Sequence, residues 1–433
     1  MNPTTVGVVV FVVMCVMIFL RCPVYLAMLV CGLAGMLCIV TPSMTISQFT
    51  SAPFTTPGNY TYAVIPMFTF LGILTEKTGI AEGTFTAASK WLGRSRGGLL
   101  KTVVVANGIF GACSGMPTAG TVVFSRLALP SLDKNGYERS NALGAIASAS
   151  VLASLIPPSV AIILCCSLAD QSITRSLMCG IGGGILTMVL FILAIDFVAL
   201  AWPHKIPPKS EERVAMKEKL KSLALLVPIL ALFAIIIIGA YTGFFTATVG
   251  GAVGAFVCMV YAMVKRCGWK NFVEYAKDAA LINANFFPLL IAGVVFGRFV
   301  ALSRLPDTIM AWIVAMHVNK FILFTVVLIF YIVCGCLMDM LSVLIITVPI
   351  IYPMMVAMGF DPYAMIIVLV YICSIGGITP PVGMGVFMTA ASVNVESRII
   401  FKGIVPYFIA LVLSSYLVAF VPQIVTFLPN LLS

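Results

Sequence analysis

The sequence predicts an all-α polytopic membrane protein whose two halves are repeats of one another, each containing a broken helix. Of its 433 residues, 61% are hydrophobic and only 9% are charged, whereas a soluble protein is about 25% charged. Apolar runs follow one another at roughly 20 residues each, the length that crosses about 30 Å of hydrocarbon. Two Pro-Pro pairs, Pro157-Pro158 and Pro380-Pro381, interrupt these runs.

The two Pro-Pro pairs predict where each half is broken. Proline removes a backbone donor and clashes with the preceding turn, so two in succession end a helix. Inside a membrane, the freed backbone groups are tolerated only where protein buries them or where they line a cavity. Breaks at corresponding positions of two halves are typical of a transporter's binding site.

The correspondence between the halves is a constant offset. Pro157 and Pro380 lie 223 positions apart, as do Pro158 and Pro381. The same offset relates Cys113 to Cys336, Pro130 to Pro353, Gly136 to Gly359, Arg175 to Arg398, Gly180 to Gly403 and Ile181 to Ile404. Eight identities without a gap indicate an internal duplication. By analogy with transporters we expect the two repeats to be inverted in the membrane.

The predicted organisation has three parts. Residues 1–201 form the first half, with a re-entrant hairpin region at about 111–131 and a break at 157–158. Residues 202–221 are a basic linker, which the positive-inside rule places in the cytoplasm. Residues 222–433 form the second half, with a hairpin region at about 334–357 and a break at 380–381. Residues 78–95 are predicted to lie at the membrane interface, with Trp91 at headgroup depth.

The sequence does not support nucleic-acid binding, a transition-metal site or an enzymatic activity. The formal charge of +10 is concentrated in loops, which disfavours nucleic-acid binding because no basic stripe lies on a soluble domain. The thirteen cysteines contain no C-x-x-C spacing and there are two histidines, so no transition-metal site is predicted. Neither H-E-x-x-H nor G-x-S-x-G occurs, and Ser114-Gly115 lacks a general base. We therefore predict neither an enzyme nor a bound cofactor.

The segments around the breaks contain groups suited to a cation beside an anion. Unwound carbonyls at half-helix ends can replace the water around a sodium ion, and half-helix N-termini suit a carboxylate. Asp339 is the most informative residue, because an intramembrane carboxylate usually marks an ion path or a paired site. The alternative for Asp339 is a wet or helix-capping carboxylate at the mouth of a hairpin.

At these positions the chain resembles the large membrane subunit, of the DctM type, of the tripartite ATP-independent periplasmic (TRAP) transporters. The resemblance covers nearly the whole chain and rests on Ile65-Pro66-Met67-Phe68, Thr78-Gly79-Ile80, Arg96-Gly97-Gly98, the run from Phe110 to Gly115, Ile156-Pro157-Pro158-Ser159, Met338-Asp339 and the run from Ile378 to Gly383. Members commonly have Ser-Gly-Ser-x-x-x-Asp in the first half. Here Met116 and Gly120 replace the second Ser and the Asp.

The resemblance implies a sodium-coupled importer of organic acids in the bacterial inner membrane. It implies an elevator architecture related to that of the ion-transporter superfamily. The implied partners are a small four-helix membrane subunit of the DctQ type and a periplasmic solute-binding protein of the DctP type. A stand-alone carboxylate carrier and, more remotely, a channel or scaffold subunit remain alternatives. Proton coupling also stays open, although the few buried acids favour sodium.

The site hypothesis assigns residues to two roles. The hypothesised sodium ligands are Gly111, Ala112, Ser114, Ile156, Gly335, Asp339, Gly377, Thr379 and Gly383. The hypothesised substrate-binding residues are Ser114, Gly115, Pro157, Pro158, Ser159, Pro380 and Pro381.

Overall fold

The computed structural model describes residues 2–208, 214–265, 267–380 and 383–432, and all regular secondary structure in these ranges is helical. Pro381 and Val382 of the second break therefore lie outside the described residues, as do residues 209–213 of the linker. Among the described residues, six helices are long and apolar enough to cross a membrane, or eight if each of two bent pairs is one span. The all-α polytopic prediction is confirmed.

Each half contributes an ordered series of helices. The first half contains α1 (Pro3–Phe19), α2 (Val24–Ile39), α3 (Pro42–Thr55), α4 (Val64–Lys77), α5 (Ile80–Leu92), α6 (Gly98–Ser114), α7 (Pro117–Lys134), α8 (Arg139–Ala149), α9 (Leu152–Leu155), α10 (Val160–Ala169) and α11 (Ile173–Ala201). The linker contains α12 (Met216–Leu223). The second half contains α13 (Val227–Tyr241), α14 (Ala247–Val264), α15 (Trp269–Ser303), α16 (Leu305–Ala315), α17 (Lys320–Leu337), α18 (Met340–Ala357), α19 (Pro362–Gly376), α20 (Met384–Val393), α21 (Ser397–Phe420) and α22 (Gln423–Leu432).

The helix boundaries repeat at the offset of 223 residues seen in the sequence. Helix α6 ends at Ser114 and α7 begins at Pro117, while α17 ends at Leu337 and α18 begins at Met340. The pairs α1–α2 and α13–α14 correspond in the same way, and α15 corresponds to α3 and α4 together. Helix α12 and the linker stand between the repeats, and α22 follows the second.

Two helical hairpins, α6–α7 and α17–α18, are each closed at the base. The Leu99 N–H donates to the Tyr137 hydroxyl (3.3 Å) at the base of the first hairpin. The Lys320 ammonium donates to the Gly359 carbonyl (3.2 Å) at the base of the second. Each hairpin therefore returns to the end from which it started. Both hairpins are longer than the predicted regions at about 111–131 and 334–357, because the whole of α6 and of α17 forms the first arm.

The two hairpins start from opposite ends of α11, whose 29 residues span about 43 Å. At its N-terminal end, the Arg175 guanidinium lies 4.6 Å from the ring centre of Tyr363, just after the second hairpin. At its C-terminal end, Asp196 pairs with Lys101 (2.5 Å) in the first arm of the first hairpin. Hairpins rooted at opposite ends of one long helix give the repeats the inverted arrangement that was expected.

Both halves have the predicted break. In the first half, α9 ends at Leu155 and α10 begins at Val160, with a bend of 45° between the flanking segments. In the second half, α19 ends at Gly376 and α20 begins at Met384. The C-terminal apolar region is divided between α21 and α22.

Small residues allow the two repeats to approach closely. Helix α21 crosses α8 at Gly403, where a methyl group would lie 1.8 Å from the Ser140 carbonyl oxygen. Gly144 faces the same contact from α8. Glycine at such a crossing lets two backbones touch, and packing of this kind holds helices together in a membrane. This crossing therefore packs the broken helix of the first repeat against α21 of the second.

Candidate functional site

A cavity of about 260 Å³ lies where both hairpin tips and both broken helices meet. Its walls come from the α6–α7 tip, the α8–α10 region, α15, the α17–α18 tip and the α19–α20 region. The lining residues are Gly115, Met116, Pro117, Thr118, Thr121, Ser150, Val151, Val160, Ala161, Ile282, Met338, Asp339, Met340, Leu341, Ser374, Gly377, Ile378, Met384 and Gly385. Among the described lining residues, Asp339 is the one charged side chain.

The cavity has the pseudo-symmetry of the repeats. Twelve of its lining residues form six pairs at the offset of 223: Gly115 with Met338, Met116 with Asp339, Pro117 with Met340, Thr118 with Leu341, Val151 with Ser374, and Ala161 with Met384. Both repeats thus contribute the same backbone positions. Because the side chains differ within each pair, the two sides of the cavity differ chemically.

Four half-helix N-termini border the cavity. Helices α7, α10, α18 and α20 each place a residue of the first turn or its cap in the lining. A helix N-terminus carries partial positive charge and N–H groups without partners in the helix. Four of them around one cavity favour an anion, although no lysine or arginine is present among the described lining residues.

Asp339 caps the N-terminus of α18. One carboxylate oxygen accepts from the Ser342 N–H (3.0 Å), and the other accepts from the Ser342 hydroxyl. Helix-capping was the alternative left open for this residue in the sequence, and the structure contains that contact. The carboxylate also lines the cavity. Since a carboxylate has about four lone-pair sites, capping leaves it free to face a second ligand.

Met116 occupies the position in the first repeat that Asp339 occupies in the second. It is the N-cap of α7, has extended backbone angles (φ −130°, ψ 124°), and makes no side-chain cap. The first-turn N–H groups at Thr118 and Ala119 therefore have no capping side chain. One hairpin tip presents a carboxylate and the other presents uncapped N–H groups.

Three residues of the site hypothesis line the cavity: Gly115, Asp339 and Gly377. The Gly377 carbonyl also accepts from the Gly385 N–H (3.0 Å) across the second break. At Gly115, a methyl group would lie 2.5 Å from the Pro158 carbonyl oxygen. The first hairpin tip therefore touches the first break.

Other hypothesised ligands lie outside the cavity lining. The Ser159 hydroxyl caps α10 by accepting from the Ile162 N–H (3.2 Å) and donates to the Ser154 carbonyl (2.5 Å). The Thr379 hydroxyl donates to the Ile375 carbonyl (2.5 Å). The Pro380 carbonyl accepts from the Cys336 thiol (3.1 Å). These hydrogen bonds stabilise the backbone conformation at the two breaks. Pro381 lies outside the described residues.

The remaining hypothesised ligands are packing positions in this structure. A methyl group at Gly111 would lie 2.6 Å from the Ala153 Cα, and one at Gly335 would lie 2.8 Å from the Gly376 Cα. These close approaches place each hairpin against the broken helix of its own repeat. The other members of this group outside the cavity lining are Ala112, Ser114, Ile156, Pro157, Pro158 and Gly383. The buried Ser114 hydroxyl has no hydrogen-bond partner among the described residues.

Sequence reasoning missed most of the cavity wall. The omitted residues include Met116, Thr118, Ser374 and Met384. Met116 could have been identified from the repeat, because it lies 223 positions before Asp339 and is therefore its counterpart in the first half. Ser374 also joins the two breaks, because its hydroxyl lies 3.0 Å from that of Ser154.

Inverted hairpins, two broken helices and a central cavity define a multi-pass membrane protein of the transporter type. Residues 11–424 match the sequence-family model for the DctM component of the tripartite ATP-independent periplasmic transporters. The chain belongs to this family of large permease subunits.

Individual relatives agree with that assignment. The chain is 26% identical over 402 residues to the C4-dicarboxylate TRAP transporter large permease protein DctM of Pseudomonas aeruginosa, covering 92% of this chain and 93% of the relative. It is 29% identical to the ectoine/5-hydroxyectoine large permease protein UehC of Ruegeria pomeroyi, covering 85% of each. The YdaH transporter of Alcanivorax borkumensis has a similar fold, with a TM-score of 0.61 at 17% identity, over 89% of this chain and 91% of that chain.

Proposed function

We propose that this chain is the transport subunit of a sodium-coupled importer of organic acids in the bacterial inner membrane. The observation that carries the proposal is the cavity between the two hairpin tips, with the Asp339 carboxylate on one side and the uncapped N-terminus of α7 on the other. Relatives named for C4-dicarboxylate and ectoine transport both handle molecules that contain a carboxylate. The proposed class of substrate is a small organic acid.

The substrate carboxylate is assigned to the N-terminus of α7. Thr118 and Ala119 offer N–H groups without a side-chain cap, and the Thr118 side chain lines the cavity. At α18 and α10 a side chain already occupies a first-turn N–H group. Helix α20 has no side-chain cap, but its Gly385 and Val386 N–H groups already donate to the Gly377 and Gly383 carbonyls. The first hairpin therefore offers the more available anion site.

The cation is assigned to the side of the cavity with Asp339 and Gly377. An anionic substrate that enters beside Asp339 meets a like charge, and two unit charges about 4 Å apart repel by about 4 kcal/mol at an effective dielectric of 20. A sodium ion at Asp339 cancels this repulsion. Substrate then binds well only when sodium is present, which is the thermodynamic basis of coupling.

The transport step is assigned to a movement of the hairpins and broken helices as one unit. These elements enclose the cavity and touch one another through the Gly335–Gly376 and Ser154–Ser374 contacts. The remaining helices, including α1, α2, α13 and α14, would form the static scaffold. Because this unit contains the whole binding cavity, it can move past a scaffold while the contacts that line the cavity stay unchanged.

The site is tested by Asp339→Asn in liposomes that contain the complete transporter. Asparagine can still cap α18, so the variant removes the charge and keeps the fold. We expect the sodium dependence of uptake to weaken strongly. The matched control is Asp361→Asn, because Asp361 caps α19 in the same way, through the N–H groups of Tyr363 and Ala364, and does not line the cavity. If the sodium dependence of uptake is unchanged in Asp339→Asn, sodium does not bind at Asp339 and the cation assignment is wrong.

The partners are tested by purifying the tagged chain from its own host in mild detergent and identifying what accompanies it. A small four-helix membrane protein and a periplasmic solute-binding protein are expected. If the folded chain comes alone and imports organic acids without them, the stand-alone carrier replaces the tripartite assembly. Uptake that does not saturate and shows no counterflow would indicate a channel instead.

A further inference from the structure

A second cavity, of about 440 Å³, lies away from the transport site, beside the linker and the base of the first hairpin. Its described lining residues include the cations Lys90, Arg94 and Lys219, against the single acid Glu218. None of these three cations forms an ion pair within the described residues. The described lining therefore has more cations than acids, and none of its three cations is neutralised by an ion pair.

The surroundings place this cavity at the level of a membrane surface. The Trp91 indole on α5 donates to the Lys219 carbonyl (3.2 Å), and the Lys219 ammonium lies 5.8 Å from the ring centre. Helix α12 exposes Met216, Leu220 and Leu223, which share one face at helical spacing. Helix α12 continues into α13, and Met216–Tyr241 together form one helix long and apolar enough to cross a membrane. The lysine-bearing first turns of this span therefore lie where it meets the membrane surface. Tryptophan is enriched at the same depth.

The polar wall adds a hydrogen-bond donor. Tyr137 lines the cavity, and its oxygen accepts from the Leu99 N–H, which leaves the phenol proton to donate. Burial raises the pKa of Tyr137, although the hydrogen bond from Leu99 opposes the shift. The hydroxyl therefore stays protonated at neutral pH.

We propose that this basic cavity binds the headgroup of an anionic phospholipid of the phosphatidylglycerol class. Lys90, Arg94 and Lys219 would hold the phosphate, with Tyr137 as a donor, and the acyl chains would lie along the apolar face of α12. Basic pockets between membrane helices are suited to such headgroups. The apolar face beside the cavity favours a lipid over a free phosphate. The lipid would join the linker to the base of the first hairpin.

The test is native mass spectrometry of the full chain with its membrane partners, taken from nanodiscs of phosphatidylcholine doped with phosphatidylglycerol. The triple variant K90Q/R94Q/K219Q removes the cavity's cations. The control K265Q/K270Q/K277Q removes three exposed lysines that do not line this cavity. At about 1 kcal/mol for each basic residue near the surface, the triple variant should bind phosphatidylglycerol about 100-fold more weakly. Wild type and control should keep it.

Two further arms make the result decisive. Arg94→Lys keeps the charge and should retain the lipid, which separates loss of binding from loss of fold. Competition with inorganic phosphate distinguishes the ligand sources: if phosphate at equal concentration displaces phosphatidylglycerol, the site is a phosphate site and the lipid proposal fails. Equal lipid retention in the wild type and in K90Q/R94Q/K219Q would also overturn it.

Discussion

Met116→Asp is the substitution that best separates the roles of the two hairpin tips. It places at the first tip the residue that the second tip has at the equivalent position, Asp339. Met116 already has the extended backbone angles of an N-cap, so the new carboxylate can accept from the first-turn N–H groups of α7. The variant should fold, and α7 should gain about 1 kcal/mol of stability from the cap.

The same carboxylate should abolish substrate binding. It occupies the N–H groups assigned to the substrate and places a like charge beside it, where two charges about 4 Å apart repel by about 4 kcal/mol at an effective dielectric of 20. A penalty of that size weakens substrate binding about 1000-fold. Met116→Asn caps α7 without a charge, so it should lose only the contribution of the occupied donors, about tenfold.

The assay is saturable uptake into liposomes that contain the complete transporter, measured beside thermal unfolding of each variant in detergent. We expect Met116→Asp to unfold no earlier than the wild type and to transport very little. If Met116→Asp transports like the wild type, the substrate does not bind at α7. If Met116→Asn loses as much uptake as Met116→Asp, charge is not the cause and the electrostatic reasoning fails.

Three further predictions concern stability, each measured by thermal unfolding of the purified protein. Asp339→Ala should destabilise α18 by about 1 kcal/mol through loss of its cap, whereas Asp339→Asn should not; equal losses would show that the cap is unimportant. Gly403→Ala places a methyl group 1.8 Å from the Ser140 carbonyl oxygen and should cost about 1–3 kcal/mol. Gly268→Ala, with nothing within 4 Å, is its control and should be tolerated. Tyr371→Phe removes a buried hydroxyl that bridges α19 to α11 and should cost about 1–2 kcal/mol; an unchanged unfolding temperature would contradict that role.

The repeat was the part of the fold most accessible from the sequence. Proline and glycine mark breaks and turns, and these residues retained the offset of 223 while apolar side chains exchanged freely. The hairpins were less accessible, because a re-entrant arm and a short membrane span have the same composition. Helix α6 has 17 apolar-rich residues, and only its contact with α7 shows that the chain turns back.

The candidate site was predictable at its tips and not in its wall. Asp339 and Gly115 could be recognised because a charged side chain and a glycine turn are rare features within apolar membrane segments. Whether a glycine faces a cavity or a neighbouring helix depends on tertiary packing, so the sequence could not show that Gly111 and Gly335 pack against the broken helices. Met116 was noted as a departure from the family pattern but was left out of the site hypothesis, and its correspondence to Asp339 becomes visible only through the repeat offset.

The most direct test of the account is the affinity of the purified transporter for the imported organic acid, measured by calorimetry across a series of sodium concentrations. Because coupling between two sites is reciprocal, the acid should bind more tightly as sodium rises, and saturating acid should tighten sodium binding by the same factor. Potassium should not substitute for sodium, and Asp339→Asn should remove the dependence. An affinity for the acid that stays constant across the sodium series would contradict a cavity in which cation and anion bind together.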